Sequence, residues 1–177
     1  MTLGDRTFEL FIPHDDLVRS IGGLAARINA DYSGRGVPLF LGVLNGAFMF
    51  ASELLQRVDF PCEISFVKLS SYDGTCSSGS VNSLIGLKKD IRGRDVIIVE
   101  DIVDTGQSIE HMMQSLEGLG ASSIEVATML FKPASYRMNF PIRYYAMDIP
   151  NDFIVGFGLD YNELGRNLKD IYKVTDE

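Results

Sequence analysis

Apolar positions recur along the chain in two rhythms. Between residues 14 and 34, Leu17, Ile21, Leu24, Ala25 and Ile28 fall on one helical face, with Asp15 or Asp16 placed to cap its start and Gly34 to end it. Residues 37–44, VPLFLGVL, form an apolar run bounded by Pro38 and Gly46, which predicts a strand buried on both faces. The helical spacing returns after residue 45 with Phe48, Ala51, Leu55 and Val58. Residues 63–70, EISFVKLS, alternate as a strand does. DVIIVED at 95–101 and SIEVATMLFK at 123–132 are further buried strands. Between them lies a helix carrying Ile109, Met112, Met113, Leu116 and Leu119, closed by Gly118 or Gly120. RYYAMDIP and DFIVGFGLD read as short strands near the C-terminus.

Strands separated by helices of about 10–15 residues imply βαβ units. The expected class is therefore α/β: an open, mostly parallel sheet flanked by helices on both faces. Ligands of such sheets bind outside the carboxyl ends of the strands, here just after residues 44, 69, 100 and 131. One segment resists regular structure: residues 70–86, SSYDGTCSSGSVNSLIG, a long loop of the kind that is usually functional or disordered.

Composition narrows the picture. A chain of 177 residues suits one domain, and 46% hydrophobic residues supply a core. No run of 18 apolar residues occurs, so no membrane span is expected. MTLGDRTFEL lacks the layout of a secretory signal, and Cys62 and Cys76 form no CxxC pair, which together suggest free thiols in a reducing cytoplasm. The net charge of −8 argues against a nucleic-acid partner. His14 and His111 belong to no metal-ligand pattern and read as ordinary surface or helix residues.

Candidate chemistry concentrates in VIIVEDIVDTGQS, residues 96–108. Gly106 permits a tight turn from strand to helix. The amides that follow face outward at the positive end of the helix, and Thr105 and Ser108 add hydroxyl donors, so DTGQS can cradle a phosphate. Three acids beside a phosphate need partners of their own, because like charges ~4 Å apart cost roughly 1 kcal/mol even in water. A ribose diol or a phosphate-bearing Mg²⁺ would satisfy them. Either points to a phosphorylated sugar, with Glu100 and Asp101 on its diol and the turn on its 5′-phosphate.

The same thirteen residues resemble the phosphoribosyl-pyrophosphate signature of the type I phosphoribosyltransferases. With LGVLNGAFMFASEL, KLSSYDG, LFKP and DFIVGFGLDYNELGRNL, the chain is similar from about residue 37 to residue 174 to the hypoxanthine-guanine phosphoribosyltransferases. The resemblance implies a purine salvage enzyme moving ribose 5-phosphate from phosphoribosyl pyrophosphate to hypoxanthine or guanine, giving IMP or GMP and pyrophosphate. It implies a small hood built from the terminal segments, with its C-terminal part at about 150–177.

Residue by residue, it assigns Asp104 as proton acceptor from the base, a role that burial would strengthen. Glu100, Asp101, Asp104, Thr105, Gly106, Gln107 and Ser108 take the phosphoribosyl group. Leu44, Asn45, Gly46 and Arg166 serve pyrophosphate, with Leu44-Asn45 the first candidate for a cis peptide and Asn45-Gly46 the second. Lys132 donates to the 6-oxo group, Phe153 stacks on the base, and Ile102 and the Ile154 backbone also meet it. Asp160, with Glu100 and Asp101, serves Mg²⁺. Ser71 and Tyr72 mark a mobile loop over residues 70–86.

Three departures stand out. Asn45 replaces a frequent lysine, Asn82 replaces the loop's usual lysine, and Arg137 sits later than the arginine of bacterial relatives. A guanine- or xanthine-preferring relative, and a non-catalytic regulator that binds phosphoribosyl pyrophosphate, are the alternative readings. A homodimer or homotetramer is the expected assembly.

Overall fold

The computed structural model describes residues 1–69 and 84–175. Ser71, Tyr72, Cys76 and Asn82 lie outside that range. A six-stranded sheet runs through the middle of the molecule. Its strands are β3 (Leu39–Val43), β4 (Glu63–Leu69), β5 (Leu84–Ile85), β6 (Asp95–Val103), β7 (Ser123–Phe131) and β8 (Tyr144–Asp148), in the order β5-β4-β3-β6-β7-β8. Five are parallel; β5 pairs antiparallel with the end of β4. Residues 84–85, expected within the irregular segment, are thus drawn into the sheet edge.

The central strands are buried because both of their faces are covered. Phe40, Ile97 and Val99 join the core of α1 (His14–Tyr32) and α2 (Phe48–Leu55). Their neighbours in sequence, Leu39, Leu41, Val96 and Ile98, pack with Ile109, Met112 and Leu116 of α3 (Gln107–Gly118). Side chains of period two falling into two separate cores are what an uninterrupted apolar run requires. β6 extends to Val103, two residues beyond the predicted stretch, and so delivers Asp104 directly at its end.

Three local expectations are corrected. Neither Asp15 nor Asp16 caps α1. Pro13 occupies the cap position, and the acids sit in the first turn, where they face the positive helix end. The cap arrives from 156 positions away: the Asp170 carboxylate accepts the His14 N–H at 2.8 Å. In α2 the buried face is Phe50, Ala51 and Leu54, whereas Phe48 is 43% exposed and Val58 lies past the helix end. In α3, Leu119 is exposed because the helix has already closed: the Gly120 N–H reaches Glu117 and the Ala121 N–H reaches Leu116, with Gly120 at φ +83°.

A second, four-stranded antiparallel sheet forms the hood. Its order is β1 (Thr2–Leu3), β2 (Arg6–Ile12), β10 (Ile171–Val174), β9 (Ile154–Val155), so both terminal segments build it, as the resemblance implies. DFIVGFGLD supplies only the short β9. Gly156, Phe157 and Gly158 all take positive φ and fold the chain back in a tight turn closed by the Gly156–Leu159 bridge. No helix among the described residues is long and apolar enough to cross a membrane.

Candidate functional site

β3 and β6 are neighbours whose onward connections leave in opposite directions, toward β4 and toward β7. Such a switch point opens a crevice at the strands' carboxyl ends. Leu44–Gly46 and Glu100–Gly106 emerge there, with Lys132 one strand further on. Ten consecutive residues, Glu100 to Ile109, line a pocket of about 150 Å³.

One wall is the turn. Gly106 stands at φ +88° as the residue before α3. A Cβ at that position would meet the Tyr136 ring at 2.6 Å and Met138 at 2.7 Å. Conformation and space therefore both demand glycine here. The Arg137 N–H donates to the Thr105 carbonyl at 3.1 Å, fastening residues 134–138 onto the outside of the turn. Thr105, Gln107 and Ser108 are exposed. The first amides of a helix have no partners within it, so α3 presents them to the pocket.

The other wall is acidic. Glu100 is 9% exposed. Burial, reinforced by the adjacent Asp101 charge, holds its carboxyl well above the usual range. Burial also lifts Asp101 from 3.8 to about 6, against the pull of the Ile102 N–H and Arg166 and with the push of Asp160. The Asp101 carboxylate accepts that N–H at 2.8 Å. It also rests on Gly46, where a Cβ would lie 1.6 Å from Oδ2. Gly158 of the hood closes on the Gly46 carbonyl just as tightly, its own Cβ position falling 2.0 Å from that oxygen. Strand end, loop 44–46 and hood turn thus meet through two glycines and one carboxylate. The Leu44-Asn45 peptide is cis, the first of the two candidate bonds.

At the rim, Lys132 Nζ donates to Asp104 Oδ2 at 3.3 Å. Lys132 is 8% exposed, and its backbone N–H is held by the Val103 carbonyl at 2.9 Å. The Asp104 side chain, expected to be buried, is 47% exposed. Since β6 ends at Val103, the Asp104 side chain stands at the mouth, and Glu100 and Asp101 are the acids that burial desolvates. Ile102 is partly buried between these acids.

In the hood, Phe153 is 42% exposed and Ile154 is buried, its backbone pairing with Lys173. Asp160 and Arg166 pair at 2.7 Å. The guanidinium also donates to the Gly158 carbonyl at 2.9 Å, while its buried Nε has no partner among the described residues. Arg166 therefore reaches the crevice already engaged.

No three His, Cys, Asp or Glu side chains among the described residues gather into a closed metal cage. The donor set suits Mg²⁺ in another way. Two adjacent hard-oxygen carboxylates held above their normal range are groups that a cation would ionise, and Mg²⁺ is commonly held by one or two carboxylates plus substrate phosphates.

Sequence reasoning missed Tyr136, Met138 and Gly158, which shape the turn and the loop from outside. Their apolar or glycine character carried no sign of which backbone they would press against. Arg137, noted as displaced, holds the turn through its amide while its guanidinium donates to Ala134 and Tyr136 carbonyls at 2.9 and 3.0 Å.

Comparison with known proteins agrees with this arrangement. The phosphoribosyl transferase domain family matches residues 13–162. A hypoxanthine-guanine phosphoribosyltransferase of Streptococcus agalactiae is 42% identical over 164 residues, covering 92% of this chain and 91% of that one. A hypoxanthine phosphoribosyltransferase structure from Staphylococcus aureus superposes with a TM-score of 0.84 at 34% identity, over 94% of this chain and 90% of that one. The enzyme of that name from Trypanosoma cruzi gives 0.84 at 29%, over 96% and 97%.

Proposed function

The chain belongs to the phosphoribosyltransferase family, and from that premise we propose that it is a purine salvage enzyme carrying ribose 5-phosphate from phosphoribosyl pyrophosphate to hypoxanthine or guanine. A bond forms between the anomeric carbon and a purine ring nitrogen as the bond to pyrophosphate breaks. The ring nitrogen's proton passes to Asp104. IMP or GMP and pyrophosphate result.

The observation that carries this reading is the crevice in which an open helix N-terminus, one buried and one partly buried carboxylate, and a lysine–aspartate pair converge. The amides of 105–108 bind the 5′-phosphate. Glu100 and Asp101 accept from the ribose hydroxyls, and their charge, close to the anomeric carbon, supports the oxocarbenium-like state better than a solvated acid could. Lys132 can only donate, so it selects a 6-oxo group over the 6-amino group of adenine. Ile102 and Phe153 supply apolar walls for the base, and the Ile154 backbone meets its edge. Loop 44–46 and the Arg166 guanidinium receive pyrophosphate. Glu100, Asp101 and Asp160 are the donors for Mg²⁺, which supplies positive charge to the leaving group when bound. Cytoplasmic location and homodimeric or homotetrameric assembly complete the reading; light scattering decides the assembly.

The test is absorbance-monitored product formation from phosphoribosyl pyrophosphate and Mg²⁺ with hypoxanthine, guanine, xanthine or adenine. Conversion of hypoxanthine or guanine, with adenine inert, is expected. Binding of phosphoribosyl pyrophosphate without any nucleotide product would show a regulator instead.

A further inference from the structure

We infer that Arg6, on the second strand of the hood, is a positioning residue for the purine: its guanidinium steadies the Phe153 ring on which the base stacks. This rests on the reading above and adds a residue to it from a part of the chain that lies before every motif used there.

Phe153 needs such support. It precedes the two-residue strand β9 and is 42% exposed, so the sheet gives it little to lean on. Its ring contacts come from residues 6, 8 and 161. Phe8, buried at 1% exposure, lies 6.4 Å away by ring centroid. Tyr161 meets Phe153 edge-on at 5.7 Å and 86°. The Arg6 guanidinium carbon stands over both rings, 5.8 Å from the Phe153 centroid and 5.5 Å from that of Tyr161. A planar cation shared by two aromatic faces fixes the angle between them.

Arg6 is itself placed. It pairs with Leu3 across β1 and β2, and two positions on, Phe8 pairs with Val174 of β10. The Val174 N–H donates to the Phe153 carbonyl at 2.9 Å, so the same strands anchor the backbone and the ring of Phe153. Asp5, the acid next to Arg6, accepts from the Tyr161 hydroxyl at 2.7 Å. Beyond its charge interaction with the adjacent Asp5, the Arg6 guanidinium is engaged by the two rings. Acid and base of one dipeptide thus hold the two ends of one aromatic pair.

The experiment uses the full-length protein as wild type, Arg6→Gln, Arg6→Lys, Phe153→Leu, the Arg6→Gln/Phe153→Leu double variant, and Arg19→Gln as a control for loss of an exposed arginine elsewhere. Two quantities are read: steady-state constants for base and for phosphoribosyl pyrophosphate, and aromatic NMR relaxation of the Phe153 ring in the substrate-free protein. Arg6→Gln is expected to raise the KM for hypoxanthine about two- to fivefold, the scale of one exposed cation–π contact. The KM for phosphoribosyl pyrophosphate and kcat should move less than about twofold. Arg6→Lys should recover part of the loss, and in the Phe153→Leu background Arg6→Gln should add nothing. The Phe153 ring should gain mobility in Arg6→Gln.

An unchanged or lowered KM for the base overturns the inference, as does a loss that persists without Phe153 or spreads equally to both substrates. So does an unchanged ring. A wild-type protein that makes no nucleotide sinks the functional reading, and the ring measurement still decides whether Arg6 orders Phe153.

Discussion

Replacing Asp101 by Asn isolates the cost of keeping an acid in the crevice. The substitution keeps the shape and leaves an oxygen to accept the Ile102 N–H, now received at 2.8 Å. In the folded protein Asp101 titrates at about 6 instead of 3.8, chiefly because it is buried. A raised carboxyl destabilises the fold once pH climbs above the unfolded value, because the folded state then binds more protons than the unfolded one. At about 1.4 kcal/mol per pH unit, the full shift corresponds to roughly 3 kcal/mol; sharing of the proton with Glu100 brings the expectation to about 1–3 kcal/mol.

Asp101→Asn should therefore be more stable than wild type by that amount at pH 7.5. The advantage should shrink below about 1 kcal/mol near pH 4.5 and vanish under the unfolded value. Urea unfolding of both proteins at the two pH values measures it. The same variant should lose activity, because the group that weakens the fold is the one proposed to grip the ribose. Equal stability at pH 7.5, or a variant less stable there than at pH 4.5 relative to wild type, would refute the assignment of burial as the cause.

Gly46→Ala places a methyl group 1.6 Å from Asp101 Oδ2; it should cost about 1–3 kcal/mol in urea unfolding and cut kcat/KM for phosphoribosyl pyrophosphate by ~10²-fold. Asp104→Asn should lower kcat by ~10²–10⁴-fold with substrate binding, read by calorimetry, largely kept. Lys132→Gln offers an amide that both donates and accepts, so the preference for hypoxanthine over adenine should fall, measured as a ratio of kcat/KM values. Asp170→Ala removes the cap of α1 and should cost about 0.5–2 kcal/mol in thermal unfolding.

How far the sequence could be read followed the range of the forces involved. β3, β6 and β7 were legible because burial on both faces writes an apolar run into local sequence. The turn between β6 and α3 was legible because Gly106 and its neighbours carry its signal within five residues. β2 was not: RTFELFI mixes charge and apolar positions, and its pairing partner, β10, lies some 160 residues on. The α1 cap went to Asp170 for the same reason, since no local pattern announces an acceptor from the other end of the chain. Asp104 was placed correctly at the strand end but assigned the wrong burial. Whether a side chain at a crevice mouth is covered depends on elements that pack across it. The approach of Gly158 to Gly46 arises only when hood and sheet meet, and that of Tyr136 to Gly106 only when the β7–β8 connection folds back over the turn.

The most direct measurement is a crystal structure of the protein with phosphoribosyl pyrophosphate and Mg²⁺. The account predicts the 5-phosphate on the amides of residues 105–108 and the ribose hydroxyls on Glu100 and Asp101. An empty turn in a crystal where the sugar binds elsewhere, or a sugar bound with its diol turned away from both acids, would contradict it.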